Sequence, residues 1–121
     1  MKQIAFIFTQ APQGSALGRE GLDAVLASAA LCEPSQIGLF FMHDGVLQLL
    51  PHQQPQQILA RAYSETFKLL TLYAIDQCYL CEAALLAHGF TRQQPFMVPV
   101  VCLAPQQLRE RLAQFDHLLT F

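Results

Sequence analysis

Charge is what this 121-residue chain has least of. Asp, Glu, Lys and Arg together make up 13% of it, where an ordinary soluble domain carries about 25%. The seven basic residues are scattered without a cluster, and the formal net charge is −2. Such a surface has nothing to neutralise a phosphate backbone, which argues against direct binding of nucleic acid. Long apolar runs are missing as well. Ile4–Phe8 is too short for a signal peptide or a membrane span. No paired-histidine motif accompanies the four cysteines, Cys32, Cys78, Cys81 and Cys102. One Cys-x-x-Cys supplies only two metal ligands, so no metal is expected. Gly14, Gly18 and Gly21 follow a strand signal and open a helix, but not at dinucleotide spacing. A tight turn with close helix packing accounts for them, and no cofactor is expected. His43 and His52 flank an apolar loop as lone histidines, and Asp44-Gly45 is ordinary turn chemistry.

Hydrophobic residues, by contrast, make up 53% of the chain. A single domain spanning residues 1–121 can build one real core from them. It would still expose apolar surface as a monomer, so permanent subunit contacts are expected. The segment Val46, Leu47, Gln48, Leu49, Leu50 is too apolar for a free loop. Val46, Leu47, Leu49 and Leu50 are therefore expected at a subunit interface. Four cysteines without a secretion signal fit a reducing, cytoplasmic setting, with a disulfide as the minor reading.

Strand and helix signals alternate along the chain. Ile4–Phe8 is a continuous apolar run, as in a strand buried on both faces. Leu22, Val25, Leu26, Ala29 and Ala30 mark one face of a helix. Ile37–Met42 reads as a second strand. Pro55 suits the first turn of a helix carrying Leu59, Ala62, Tyr63, Leu69, Leu70 and Tyr73. Ile75–Leu80 reads as a third strand and Glu82–His88 as a helix stopped by Gly89. Phe96–Leu103 reads as a fourth strand, placed at an edge or bulge by Pro99. A helix from Pro105 to Leu112 and a short strand His117–Phe121 close the chain. This grammar predicts an α/β fold: an open, mostly parallel five-stranded sheet with helices on both faces, in a flavodoxin-like layout. Ligands in such sheets collect at the carboxyl ends of the strands, near the switch in strand order.

Cys78-Tyr79-Leu80-Cys81 falls on that rim. Cys81 immediately precedes a helix, where first-turn amides and the helix dipole favour thiolate over thiol. Glu82 next door opposes this. Cys81 is thus the candidate reactive residue. Cys78, inside the strand, reads as a small buried hydrophobe held neutral. A thioredoxin-type dithiol would put the first cysteine at the helix mouth and the second one turn inside; here the register is the reverse. A phosphoacceptor domain needs acidic residues after the first strand, where this chain reads Phe8-Thr9-Gln10.

Over nearly its whole length the chain resembles the DsrE/DsrF-like family of sulfur-relay proteins. The densest matches are Ala11–Asp23, Asp44–Pro51, Thr66–Leu70 and Ile75–Cys81. The resemblance is closest to the branch whose members assemble with TusB-like and TusD-like subunits in a cytoplasmic heterohexamer. It implies a role in passing persulfide sulfur toward 2-thiolation of the wobble uridine of tRNA. In the family the working cysteine belongs to the TusD-type subunit, in a Cys-x-Ala-Ala turn before a helix that ends in Gly. Cys81, Ala83, Ala84 and Gly89 repeat that spacing. The resemblance makes Cys81 the positional equivalent of that cysteine, and it makes members of this branch supporting subunits. Two readings follow. One is a structural, non-catalytic partner of the sulfur-carrying subunit. The other is a sulfurtransferase that carries a persulfide on Cys81.

Overall fold

A computed structural model of the chain describes residues 3–10, 17–49, 73–91, 96 and 99–121. Five strands form one parallel sheet: β1 (Ile4–Phe8), β2 (Ile37–Phe41), β3 (Cys78–Cys81), β4 (Val101–Leu103) and β5 (His117–Thr120). Their order is β4-β3-β2-β1-β5, and every neighbouring pair is parallel. The helices are α1 (Leu17–Ala29), α2 (Glu82–Ala87) and α3 (Pro105–Leu112), with a short 3-10 turn at Pro34–Gln36 before β2 and a longer 3-10 segment, His43–Leu49, after it.

Alternation along the strands builds two cores, since successive side chains point to opposite faces. One face carries Phe6, Phe8, Leu39, Phe41, Cys78 and Leu80. It is covered by Leu22 and Val25 of α1, Val46 and Leu49 of the 3-10 segment, and Leu85 of α2. The other face carries Ala5, Ile7, Phe40, Tyr79 and Cys81, covered by Leu108 of α3 and by Phe115. Phe115 meets Phe40 edge-on at 5.4 Å between ring centroids. The expected α/β sheet with helices on both faces is therefore what forms. At 0.8 kcal/mol or so per buried methylene, these paired aromatic and aliphatic layers are the main source of stability.

Several boundaries differ from the sequence reading, each for a local reason. The third strand occupies Cys78–Cys81 rather than Ile75–Leu80. Ala74 takes a left-handed φ of 60°. The Gln77 side-chain amide then donates to the carbonyls of Ser35 and Ile37, which draws this stretch to the start of β2. The fourth strand shortens from Phe96–Leu103 to Val101–Leu103, beginning beyond Pro99, which has no N–H to pair. The second strand stops at Phe41: the Met42 amide makes a last ladder bond to the Phe8 carbonyl, and His43 then turns left-handed at φ 53°. Asp44-Gly45 is not a simple turn but the first part of the 3-10 segment. The fifth strand ends at Thr120, although the Phe121 amide still donates to the Ile7 carbonyl.

Of the apolar stretch expected at a subunit interface, two residues lie inside the chain itself. Val46 and Leu49 are fully buried in its own core, and Leu47 packs against that core partly buried. Gly45 lets the segment approach this closely, because a Cβ there would overlap the Phe8 carbonyl. Leu50, His52, the Gln-Pro-rich loop and the helix read from Pro55 lie outside the described residues, apart from Tyr73 at its end. Among the described residues the large exposed hydrophobics are Leu31, Tyr73, Leu86, Val101, Leu118 and Leu119.

Candidate functional site

The strand order switches direction between β1 and β5, which makes the crevice beyond their carboxyl ends the expected ligand position. Here that crevice is filled. The Phe121 ring lies 6.0 Å from that of Phe8 and 6.4 Å from that of Phe6. The Thr9 amide and hydroxyl both donate to the Phe121 carbonyl, at 2.8 and 2.9 Å. The open part of the rim is two strands away, where β3 runs directly into α2.

Cys81 ends β3 and is the N-cap of α2, with extended backbone angles. α2 lasts six residues. It stops at Gly89, whose φ of 84° is the left-handed conformation that glycine adopts freely. The Gly89 and Phe90 amides donate back to Leu86 and Leu85. Leu85, fully buried, pins the helix to the first face of the sheet. The imidazole of His88 meets the carboxylate of Asp44 at 3.0 Å, tying the end of α2 to the 3-10 segment.

The two cysteines of the motif part company at the sheet. Cys78 and Leu80 point into the first face, Tyr79 and Cys81 into the second. The backbone layer of the sheet lies between them, so they cannot bridge as a disulfide without reversing the strand's alternation. All four cysteines are free. Burial pushes the Cys78 thiol up to about 12, with the Asp76 carboxylate adding to the effect, which favours the neutral thiol. Cys81 is buried too, at 8% exposure. Its sulfur makes no capping hydrogen bond to the first turn of α2. The strand's alternation turns it toward α3, while α2 packs through Leu85 on the opposite face.

On that side Cys81 lines a pocket of about 360 Å³. Met42 and His43 form one wall, Ala83 and Ala84 of α2 another, and Pro105, Leu108 and Arg109 of α3 the third. His43 therefore joins Cys81 at one site, whereas Asp44 is engaged with His88. The α3 residues were not foreseen. The signal lay in the sheet order: β4 neighbours β3, so the helix after β4 opens beside the helix after β3. On the same helix Arg111 stands over the Tyr79 ring, 5.3 Å from its centroid. Among the described residues no group of three or more His, Cys, Asp or Glu comes together as a metal would require.

A buried thiol on the wall of an apolar pocket, at the carboxyl end of a parallel strand, defines a small α/β domain with a single-cysteine site. The profile of the DsrE/DsrF-like family matches residues 2–121, and the chain belongs to that family. Within it the chain falls in the TusC branch. It is 56% identical to Protein TusC of Klebsiella pneumoniae strain 342, over all 121 residues and the whole of that protein. It is 55% identical, again over the full length of both, to Protein TusC of Klebsiella pneumoniae subsp. pneumoniae strain ATCC 700721 / MGH 78578. Among solved structures, the ychN protein of E. coli superposes with a TM-score of 0.81, covering both chains completely at 24% identity, and so shares the fold.

Proposed function

We propose that this chain is a subunit of a cytoplasmic sulfur-relay complex of the TusBCD type. It would stand beside TusB-like and TusD-like subunits in a heterohexamer and support 2-thiolation of the wobble uridine of tRNA. Its role is mainly that of a structural, non-catalytic partner of the sulfur-carrying subunit. The observation that carries this reading is the full-length 56% identity to a TusC protein. The low charge content and the exposed leucines of β5 agree with a chain that assembles with others. Among the described residues no helix is long and apolar enough to cross a membrane.

A second reading, in which Cys81 itself carries a persulfide, is favoured by one feature. The thiol opens onto a pocket instead of being packed on all sides. Both readings are tested in cells lacking the native subunit and supplied with wild-type chain or Cys81→Ser. Thiolated wobble uridine is measured by nucleoside mass spectrometry, and complex assembly by co-purification. The structural role predicts that Cys81→Ser restores both. Loss of thiolation from an intact complex establishes the second reading. A wild-type chain that neither co-purifies with the other subunits nor restores thiolation refutes both.

A further inference from the structure

The outer strand β5 is an edge without the usual protection. It comes last in the sheet, and all four of its residues, His117–Thr120, are exposed. Its bonds to β1 use alternate residues. The His117 and Phe121 amides donate to the Gln3 and Ile7 carbonyls, and the Phe121 carbonyl accepts from the Thr9 amide. In a parallel ladder the residues between these turn their N–H and C=O groups the other way. Leu118 and Thr120 therefore present their main-chain donors and acceptors outward, with no strand beyond them among the described residues. Leu119 pairs with Phe6 and shares its face, while Leu118 and Thr120 share the face of Ala5 and Ile7. No residue of the strand is Lys, Arg, Asp, Glu or Pro. The adjoining carboxylate, that of Asp116, is turned back to accept from the Gln3 amide at 2.7 Å. A charged edge strand would meet its own like charge in a second copy, and this one does not.

We propose that β5 pairs with β5 of a second copy of this chain, antiparallel about a two-fold axis, and joins the two sheets into one. The fit of the strand to itself singles out this occupant. An axis perpendicular to the sheet makes the two edges antiparallel and leaves every side chain on its own face, so residues of the same parity stand opposite each other. The register centred on Leu119 sets Leu118 against Thr120 of the second copy, on both sides of the axis. Both residues turn their main-chain groups outward, so each such pair exchanges two hydrogen bonds. The two Leu119 side chains meet on the axis, in the close position between those bonds. The register centred on Leu118 is poorer, because it sets Thr120 against Asp116, whose amide already donates to Gln3. Pairing also takes Leu118 and Leu119, 53% and 46% exposed, out of water. The contact is independent of whether Cys81 carries sulfur.

The register is tested by cross-linking the full chain, alone and co-purified with the TusB-like and TusD-like subunits proposed above. Leu119→Cys and Leu118→Cys are oxidised mildly, and linked dimer is counted above the wild-type background by intact mass, with the bond located by peptide mass spectrometry. Opposed residues on the axis have Cα atoms about 4.5 Å apart, within disulfide reach. The two copies of residue 118 stand about 8 Å apart along the diagonal, beyond it. Leu119→Cys is therefore expected to give about fivefold more linked dimer than Leu118→Cys. Adding Thr120→Pro removes an outward N–H while sparing the amides bonded to β1, and should lower the Leu119→Cys yield about fivefold. Adding Leu118→Lys, which sets like charges across the pair, should do the same; circular dichroism shows which of these edge variants keeps the native fold. A homodimer linked through residue 119 in either preparation, and weakened by a folded edge variant, supports the inference. Linking at residue 118 that equals or exceeds that at 119 overturns it. So does a link from residue 119 to another subunit instead, no link above background in either preparation, or a yield that a folded edge variant leaves unchanged.

Discussion

Cys78 and Cys81 lie three residues apart in one strand, and an odd separation sends them to opposite faces. Their chemistry differs accordingly. Cys78 is held neutral by burial and by Asp76. Its folded pKa of about 12 stands above the ordinary 9.0. The associated stability is therefore fully present below pH 9 and is lost as pH rises toward the folded value, because only the unfolded chain ionises in between. The expected loss is ~1.4 kcal/mol per pH unit across that window. Urea midpoints taken from neutral to alkaline pH should fall more steeply for the wild type than for Cys78→Ala; parallel curves would show that Cys78 does not titrate differently in the two states. Pulsed alkylation gives a second check. Cys81, on the pocket wall, should be modified before Cys78, and the reverse order would contradict the placement of the two thiols.

The 3-10 segment shows how an element can change the meaning of a residue pattern. Val46 and Leu49 looked like interface residues because their stretch is apolar and follows a strand. As a 3-10 turn folded back over the strand ends, it seats both side chains in the chain's own core. Gln48 is buried with them and donates from its side-chain amide to the Gln10 carbonyl at 2.8 Å, anchoring the segment to the loop after β1. Leu49→Asp should accordingly unfold the chain, by burying an unpaired carboxylate, rather than release a folded subunit from its partners. Circular dichroism and co-purification separate the outcomes. A folded Leu49→Asp variant would overturn the assignment. Gly45→Ala should cost roughly 3 kcal/mol or more, since the new methyl overlaps backbone that has no rotamer to escape into. Thermal unfolding that stays within a degree or two of the wild type would contradict it.

At the scale of the whole molecule, the edges are what distinguish this fold. β5 is an outer strand with all four residues exposed, including Leu118 and Leu119. It carries no lysine or proline of the kind that protects a free edge. Val101 on β4 is exposed at the other side. Expressed alone, the chain should self-associate or precipitate, and co-expression with the TusB-like and TusD-like subunits proposed above should yield a discrete complex on size-exclusion chromatography. A stable, well-behaved monomer indifferent to those subunits would contradict this. With a net charge of −2 and no basic cluster, the isolated chain should show no salt-dependent affinity for tRNA. A steep fall in binding with rising salt would contradict that expectation.

The alternating apolar runs and helical faces were enough to specify the parallel α/β sheet. They also placed Cys81 at a strand end before a helix stopped by glycine. These features depend on local periodicity and on backbone preferences that residues such as Pro105 and Gly89 carry with them. The strand alternation that separates Cys78 from Cys81 was legible too, once the strand's end was known. Strand boundaries were less so, because Gln77 and Met42 use hydrogen bonds to distant backbone groups that no local pattern records. Tertiary structure alone decided the rest. It filled the switch-point crevice with Phe121, turned Val46 and Leu49 inward, and brought His43, Leu108 and Arg109 to one pocket around Cys81. Each of these depends on the order of strands in the sheet, a choice among packings of similar local segments that only the whole core can make.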